Sequence, residues 1–102
     1  MATVVQDNPE LNRFEVFEDG ELAGFSQYSR SDEAIAFKHT EVDDRFEGRG
    51  IGSALARGVL DAARGDGLAV LPHCPFIAGY IREHADDYLE LVPEERRSKF
   101  NL

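Results

Sequence analysis

Residues 47–53, Glu47-Gly48-Arg49-Gly50-Ile51-Gly52-Ser53, set three glycines at alternate positions directly ahead of an amphipathic stretch. Glycines at that spacing let a backbone curl with its N–H groups turned inward. A helix starting there adds its own unpaired N–H groups and the positive end of its dipole. The combination suits a phosphate or pyrophosphate. The charge pattern agrees. The chain has a net charge of −9, yet between Arg45 and Arg57 three arginines stand against one glutamate, a local excess of +2.

A second chemistry needs a nucleophile. Cys74 is the only cysteine, so no disulfide forms within the chain, which fits a reducing compartment. Pro75 follows it and suits the first position of a helix, which makes Cys74 the N-cap. Helix dipole and free N–H groups favour a thiolate there, and a thiolate attacks a thioester. The competing reading is a small, inert core residue. His39, on an expected strand, is a candidate base for the thiol or for an incoming amine. The bland reading of His39 is a histidine bonded across the sheet or exposed on its outer face. His73 would point away from Cys74 on a continuing strand, and His84 would complement the end of a helix. No His, Cys and Asp cluster has metal-ligand spacing.

The elements that must position these groups are legible from local patterns. Residues 12–17 alternate like a strand, Asp19-Gly20 signals a hairpin, and 21–29 reads as its return strand. Ser31-Asp32 is a second turn and 34–42 a third strand, with Ile35 and Phe37 on one face. Residues 3–6 suit a short strand before these. Ile51, Ala54, Leu55, Gly58, Val59 and Ala62 recur at helical spacing, ending near Gly65 to Gly67. Residues 68–71 are wholly apolar, as in a strand buried on both faces. A second helix runs from Pro75 to about His84, with Phe76, Ile77 and Ile81 facing the core. Residues 86–91 are undecided, and 93–102 read as a loose tail or a short helix.

The totals bound the rest. A chain of 102 residues is one domain that buries roughly two-thirds of its unfolded surface. Its acidity argues against nucleic acid and anionic membranes as partners. The longest aliphatic run is too short to span a bilayer, and the first 14 residues lack the pattern of a secretory signal, so the expected location is cytoplasmic.

Glycines ahead of a helix occur in three settings. The Rossmann fingerprint needs a βαβ unit, and Ser53 stands where its third glycine belongs. The P-loop needs a lysine before the Ser or Thr, and Gly52-Ser53 has none. The third setting matches. Gly50 and Gly52 fit the cofactor loop Gln/Arg-x-x-Gly-x-Gly/Ala of the GNAT superfamily of N-acetyltransferases, which this chain resembles. More narrowly, it resembles the minimal, cysteine-containing YjdJ-type group. The matching stretches are His39-Thr40-Glu41-Val42, then Gly48-x-Gly50-Ile51-Gly52-Ser53-Ala54-Leu55, then Cys74-Pro75-Phe76-Ile77-Ala78-Gly79-Tyr80-Ile81. They span about Phe14 to Val92.

The resemblance implies an α/β (α+β) fold. It is a reduced GNAT fold, an antiparallel meander followed by a cofactor-binding helix, a further strand and a C-terminal helix. Acetyl-CoA would lie in a V between the third strand and residues 68–71. Its pyrophosphate would rest on Gly48, Arg49, Gly50, Ile51, Gly52 and Ser53, and its pantetheine arm would pair with Glu41, Val42 and Asp43. The acetyl group would pass through Cys74 to an unidentified amine, on a protein or another molecule. Tyr80 would protonate the departing CoA thiolate. Glu47 stands where the superfamily has Gln or Arg, so side-chain help would come from Arg45 or Arg49. An offset frame, Arg45-x-x-Gly48-x-Gly50, starts the helix two residues late. Two other classes stay open: a CoA-binding module without catalysis, and an interaction protein that has lost the cofactor.

Overall fold

The computed structural model describes residues 2–102. Strands β1 (Thr3–Asn8), β2 (Arg13–Glu18), β3 (Glu21–Arg30) and β4 (Ala34–Val42) form the antiparallel meander. Local chemistry makes each turn. Asp19 and Gly20 both take positive φ (50° and 87°), the conformation a two-residue hairpin with native twist requires. At the β3–β4 turn, the Ser31 hydroxyl accepts from the N–H groups of Glu33 and Ala34. β1 is longer than the residues 3–6 read from sequence and pairs with β2 along its whole length.

Helix α1 (Ile51–Gly65) then crosses over to β5 (Ala69–Pro72), which runs parallel to β4 from Ala34↔Ala69 to Phe37↔Pro72. Helices α2 (Pro75–Glu83) and α3 (Ala85–Tyr88) follow, the latter overlapping the undecided residues 86–91. The fold is the mixed α/β architecture expected. Among the described residues no helix is long and apolar enough to cross a membrane.

α1 spans all five strands and packs beside α2. Leu55, Val59 and Leu60 of α1, Ile77 and Ile81 of α2, and Val16, Ile35 and Phe37 of the sheet are fully buried between them. Each such side chain contributes roughly 1.5–3 kcal/mol of hydrophobic stabilisation.

Two expectations need correction. The strand 68–71 was expected to be buried on both faces. β5 is instead an edge strand shifted by one residue, with Val70 and Pro72 buried and Ala69 and Leu71 only half-buried. Among the described residues no further strand pairs with β5, and Pro72 is tolerated because no strand partner needs its missing N–H. Of the two readings for 93–102, the structure shows the helix: a 3-10 segment, Glu94–Phe100, that is not loose. Phe100 is 7% exposed and packs edge-on against His73. Arg82 donates to the carbonyls of Phe100 and Asn101, and Arg97 to those of Leu89 and Val92.

A β-bulge in the middle of β4 positions the site. Tyr28 pairs with Phe37 but Gln27 pairs with His39, which leaves Lys38 as an extra residue. Beyond a bulge the alternation of faces inverts. Phe37 and Thr40 therefore both turn toward the helices, and His39 turns away.

Candidate active site

α1 begins at Ile51, as the frame ending in Gly50-x-Gly52 requires. Gly48 and Gly50 have φ of +82° and +74°, a region costly for other residues. Gly50 is the N-cap and offers no side chain to the helix. The N–H of Ala54 reaches the Gly50 carbonyl, so those of Ile51, Gly52 and Ser53 precede the first intrahelical bond and are left for a ligand. Gly52 lies under the Phe76 ring, whose Cζ is 2.8 Å from where a Cβ on Gly52 would stand.

The side chains around the loop divide the electrostatics. Glu47 is exposed. Arg45 is engaged, its Nη2 3.0 Å from Asp43 Oδ2 and its Nη1 3.6 Å from Glu21. Hydrogen bonds from the Arg45 side chain and N–H hold the Asp43 carboxyl below the ordinary aspartate range. Arg49 lies over the Phe46 ring at 5.6 Å and has no carboxylate partner among the described residues. Of the two arginines, Arg49 is the one available to an anion.

β4 and β5 pair only as far as Phe37↔Pro72, after which the Cys74 N–H donates to the Phe37 carbonyl at 2.9 Å. From Lys38 to Val42 this edge of β4 has no strand partner among the described residues. Its backbone groups are free to pair with an extended ligand arm; Glu41 and Val42 lie at its far end, and Asp43 follows with its N–H given to the Ala23 carbonyl. On its other side β4 is close-packed: a Cβ on Gly24 would stand 2.5 Å from the Glu41 carbonyl oxygen. A cleft of about 480 Å³ runs along Leu22 to Phe25 and Glu41 to Asp44.

Cys74 sits where the strands part. It is the N-cap of α2, 3% exposed, with extended backbone (φ −73°, ψ 122°). Its side chain does not cap the helix; Sγ donates instead to Thr40 Oγ1 at 3.3 Å. Thr40 Oγ1 in turn lies 3.0 Å from Ser26 Oγ.

The other candidates are not all gathered there. The bulge separates His39 from Cys74 and turns it to the opposite face of the sheet. Its side chain is 55% exposed, with Nε2 3.4 Å from Glu41 Oε1 and the ring edge-on to Phe25. The structure therefore gives it no contact with the thiol it was expected to serve. Thr40 holds the place that unbroken alternation would give to His39, and it was missed because only the pairing with β3 creates the bulge. Tyr80 is half-buried, stacked on His84 at 4.1 Å. It lines a groove with Ser53, Pro75, Phe76, Gly79 and Glu83 that connects the start of α1 to α2. Phe76, expected in the core with Ile77 and Ile81, is 42% exposed in this groove. It is the second residue of α2, and its place on the helix turns it toward Gly52 rather than inward. His84 Nδ1 lies 3.0 Å from the Tyr80 carbonyl at the end of α2, the terminal role expected of it.

The residues present fit an extended, anionic acyl carrier: free N–H groups at a helix start, an unpaired arginine beside them, an open strand edge, and a thiol at the apex. Known proteins agree. A family model described as GCN5-related N-acetyl-transferase matches residues 13–91. Protein NATD1 of Xenopus tropicalis and of Mus musculus are each 37% identical over 57 residues, covering 55% of this chain and 52% of theirs. The chain spans about half the length of these curated relatives. The crystal structure of Ard1 from Thermoplasma volcanium is similar, with 28% identity and a TM-score of 0.51 over 58% of this chain and 41% of that one. That of the ribosomal-protein-alanine N-acetyltransferase from Brucella melitensis biovar Abortus 2308 shares the fold at 20% identity, with a TM-score of 0.55 over 79% of this chain and 61% of that one. The glycine loop, the parted strands and the match across residues 13–91 together show that this chain belongs to the GCN5-related N-acetyltransferase (GNAT) family.

Proposed function

We propose that this chain is a cytoplasmic, single-domain N-acetyltransferase of the minimal, cysteine-containing YjdJ-type group. It uses acetyl-CoA and passes the acetyl group through Cys74 to an amine. The observation that carries the reading is the position of Cys74, whose N–H makes the last link before β4 and β5 part. Within the loop Gly48 to Ser53, the N–H groups of Ile51, Gly52 and Ser53, with the Arg49 side chain, hold the donor's pyrophosphate, while the Arg49 N–H is already given to the Phe46 carbonyl. The free edge of β4 near Glu41, Val42 and Asp43 holds the arm that carries the thioester.

The Cys74 sulfur attacks the thioester carbon. A carbon–sulfur bond to Cys74 forms, the bond to the donor's sulfur breaks, and the proton of Cys74 ends on the donor's thiol. Tyr80, in the groove beside Ser53, is placed on the donor's side to deliver such a proton. An amine then attacks the acetyl carbon: its nitrogen–carbon bond forms, the bond to the Cys74 sulfur breaks, and a proton given up by the amine returns to that sulfur as the thiol. His39 and Glu41, on the opposite face, serve the amine rather than Cys74. Only Pro9 to Asn12 connect β1 and β2, and the single 3-10 turn there, Pro9–Leu11, is too short to wall the face where His39 lies. Such a face suits a large amine acceptor such as a protein.

The same openness favours a second reading, a module that binds CoA without catalysis. Intact mass after incubation with acetyl-CoA separates the two. A gain of one acetyl group in wild type and none in Cys74→Ala supports transfer through Cys74. No gain in either, with melting still raised by CoA, leaves the binding module. A ligand at a hundredfold its Kd adds about 2.7 kcal/mol, which for this size raises the melting temperature by roughly 10–20 °C. An unchanged melting curve refutes both.

A further inference from the structure

Behind Cys74 lies a pair of hydroxyls, those of Thr40 and Ser26. Ser26 is 0% exposed, and its Oγ has Thr40 Oγ1 as its hydrogen-bond partner, at 3.0 Å. Thr40 Oγ1 also accepts from Cys74 Sγ at 3.3 Å. The row Ser26–Thr40–Cys74 thus crosses from β3 over β4 to the first turn of α2. Thr40 joins it only because of the bulge at Lys38. Cys74, for its part, leaves the capping of α2 undone while its sulfur engages Thr40.

We infer that Thr40 is a positioning residue for Cys74, and that Ser26 lets it serve the thiol and the thiolate alike. A hydroxyl both donates and accepts. While Cys74 carries its proton, Sγ–H donates to Thr40, and Thr40 donates to Ser26. When the proton leaves, both hydroxyls rotate: Ser26 donates to Thr40, and Thr40 donates to the sulfur. No atom moves far, and each of the two hydroxyl oxygens keeps a hydrogen-bond partner in either state. Burial closes the row at Ser26, so the pair carries no proton to solvent. The proton of Cys74 leaves on the side where the thioester lies. Once Cys74 is acetylated its sulfur no longer donates, and Thr40 keeps Ser26 as a partner.

This inference rests on the reading of Cys74 as acetyl acceptor, so its test needs a readout independent of acetyl-CoA. That readout is the rate of Cys74 alkylation by iodoacetamide, measured beside acetylation from acetyl-CoA. A hydrogen bond to a charged sulfur is worth about tenfold in rate. Thr40→Val should slow alkylation by about that factor, Ser26→Ala by about threefold, and Thr40→Ser should restore it to near wild type. A role in packing alone predicts the reverse order, because valine keeps both branches of threonine and serine does not. Alkylation of Thr40→Val at the wild-type rate overturns the inference, as does a wild-type thiol that iodoacetamide never reaches. If Thr40→Val fails to fold, Ser26→Ala and Thr40→Ser decide: an unchanged rate in the first, or a large loss in the second, overturns it. Slowed alkylation with no acetylation in wild type leaves the hydroxyl pair standing and removes the transfer reading.

Discussion

Replacing Gly24 by alanine tests how tightly the far end of β4 is held. The added Cβ would stand 2.5 Å from the Glu41 carbonyl oxygen and 3.1 Å from Val42 Cα, both backbone atoms. A carbon–oxygen contact settles near about 3.3 Å, so β4 must retreat by about 0.8 Å. That retreat strains the Gly24↔Val42 pairing and the bond from the Asp43 N–H to the Ala23 carbonyl, 2.7 Å long. Overpacking and a weakened hydrogen bond together cost about 2–4 kcal/mol. For a domain of this size the melting temperature should fall by roughly 10–25 °C. Gly52→Ala is the control. Its Cβ would stand 2.8 Å from Phe76 Cζ, the free end of a side chain that is 42% exposed and able to swing aside. Alanine also favours a helix by about 0.5–1 kcal/mol, so Gly52→Ala should melt within a few degrees of wild type. Thermal unfolding of the two variants, with and without acetyl-CoA, is the assay. Gly24→Ala should lose stability and cofactor response together; Gly52→Ala should lose only response, as Phe76 is driven into the groove. A Gly24→Ala protein that melts with wild type, or below which Gly52→Ala melts, refutes the reasoning.

Two further outcomes follow from the electrostatics. Arg49→Ala should weaken acetyl-CoA binding about fivefold at low salt, and less at high salt, by titration calorimetry. Arg45→Ala should change it less, because Asp43 and Glu21 already occupy that guanidinium; equal effects would contradict this division. At high pH, Tyr28 and Tyr88 set the limit. Burial, then a hydrogen bond to Asp7 or Asp61, pushes each phenol up to about 12 from its ordinary 10.0. A raised folded value means their contribution is complete below pH 10 and fades as pH climbs to about 12. Urea midpoints should therefore fall across that window, and less steeply in Tyr28→Phe/Tyr88→Phe.

Local chemistry alone determined much of this protein. Asp19-Gly20 signals a tight turn, Gly48 and Gly50 favour a loop ahead of Ile51, and Pro75 suits the first position of a helix, which puts Cys74 at the N-cap position. These are statements about a few neighbouring φ angles and one missing N–H, and a sequence states them directly. What tertiary structure decided depends on partners distant in the chain. His39 and Thr40 exchange faces because β3 pairs with β4 across a bulge, and a bulge belongs to two strands at once. Phe76 lies over Gly52 and not in the core because α1 and α2 place their first turns together. Phe100 is anchored because Arg82, a helix earlier, reaches its carbonyl. Sequence periodicity marks which side chains share a face within one element, but only the packed fold decides which way that face turns and what it meets.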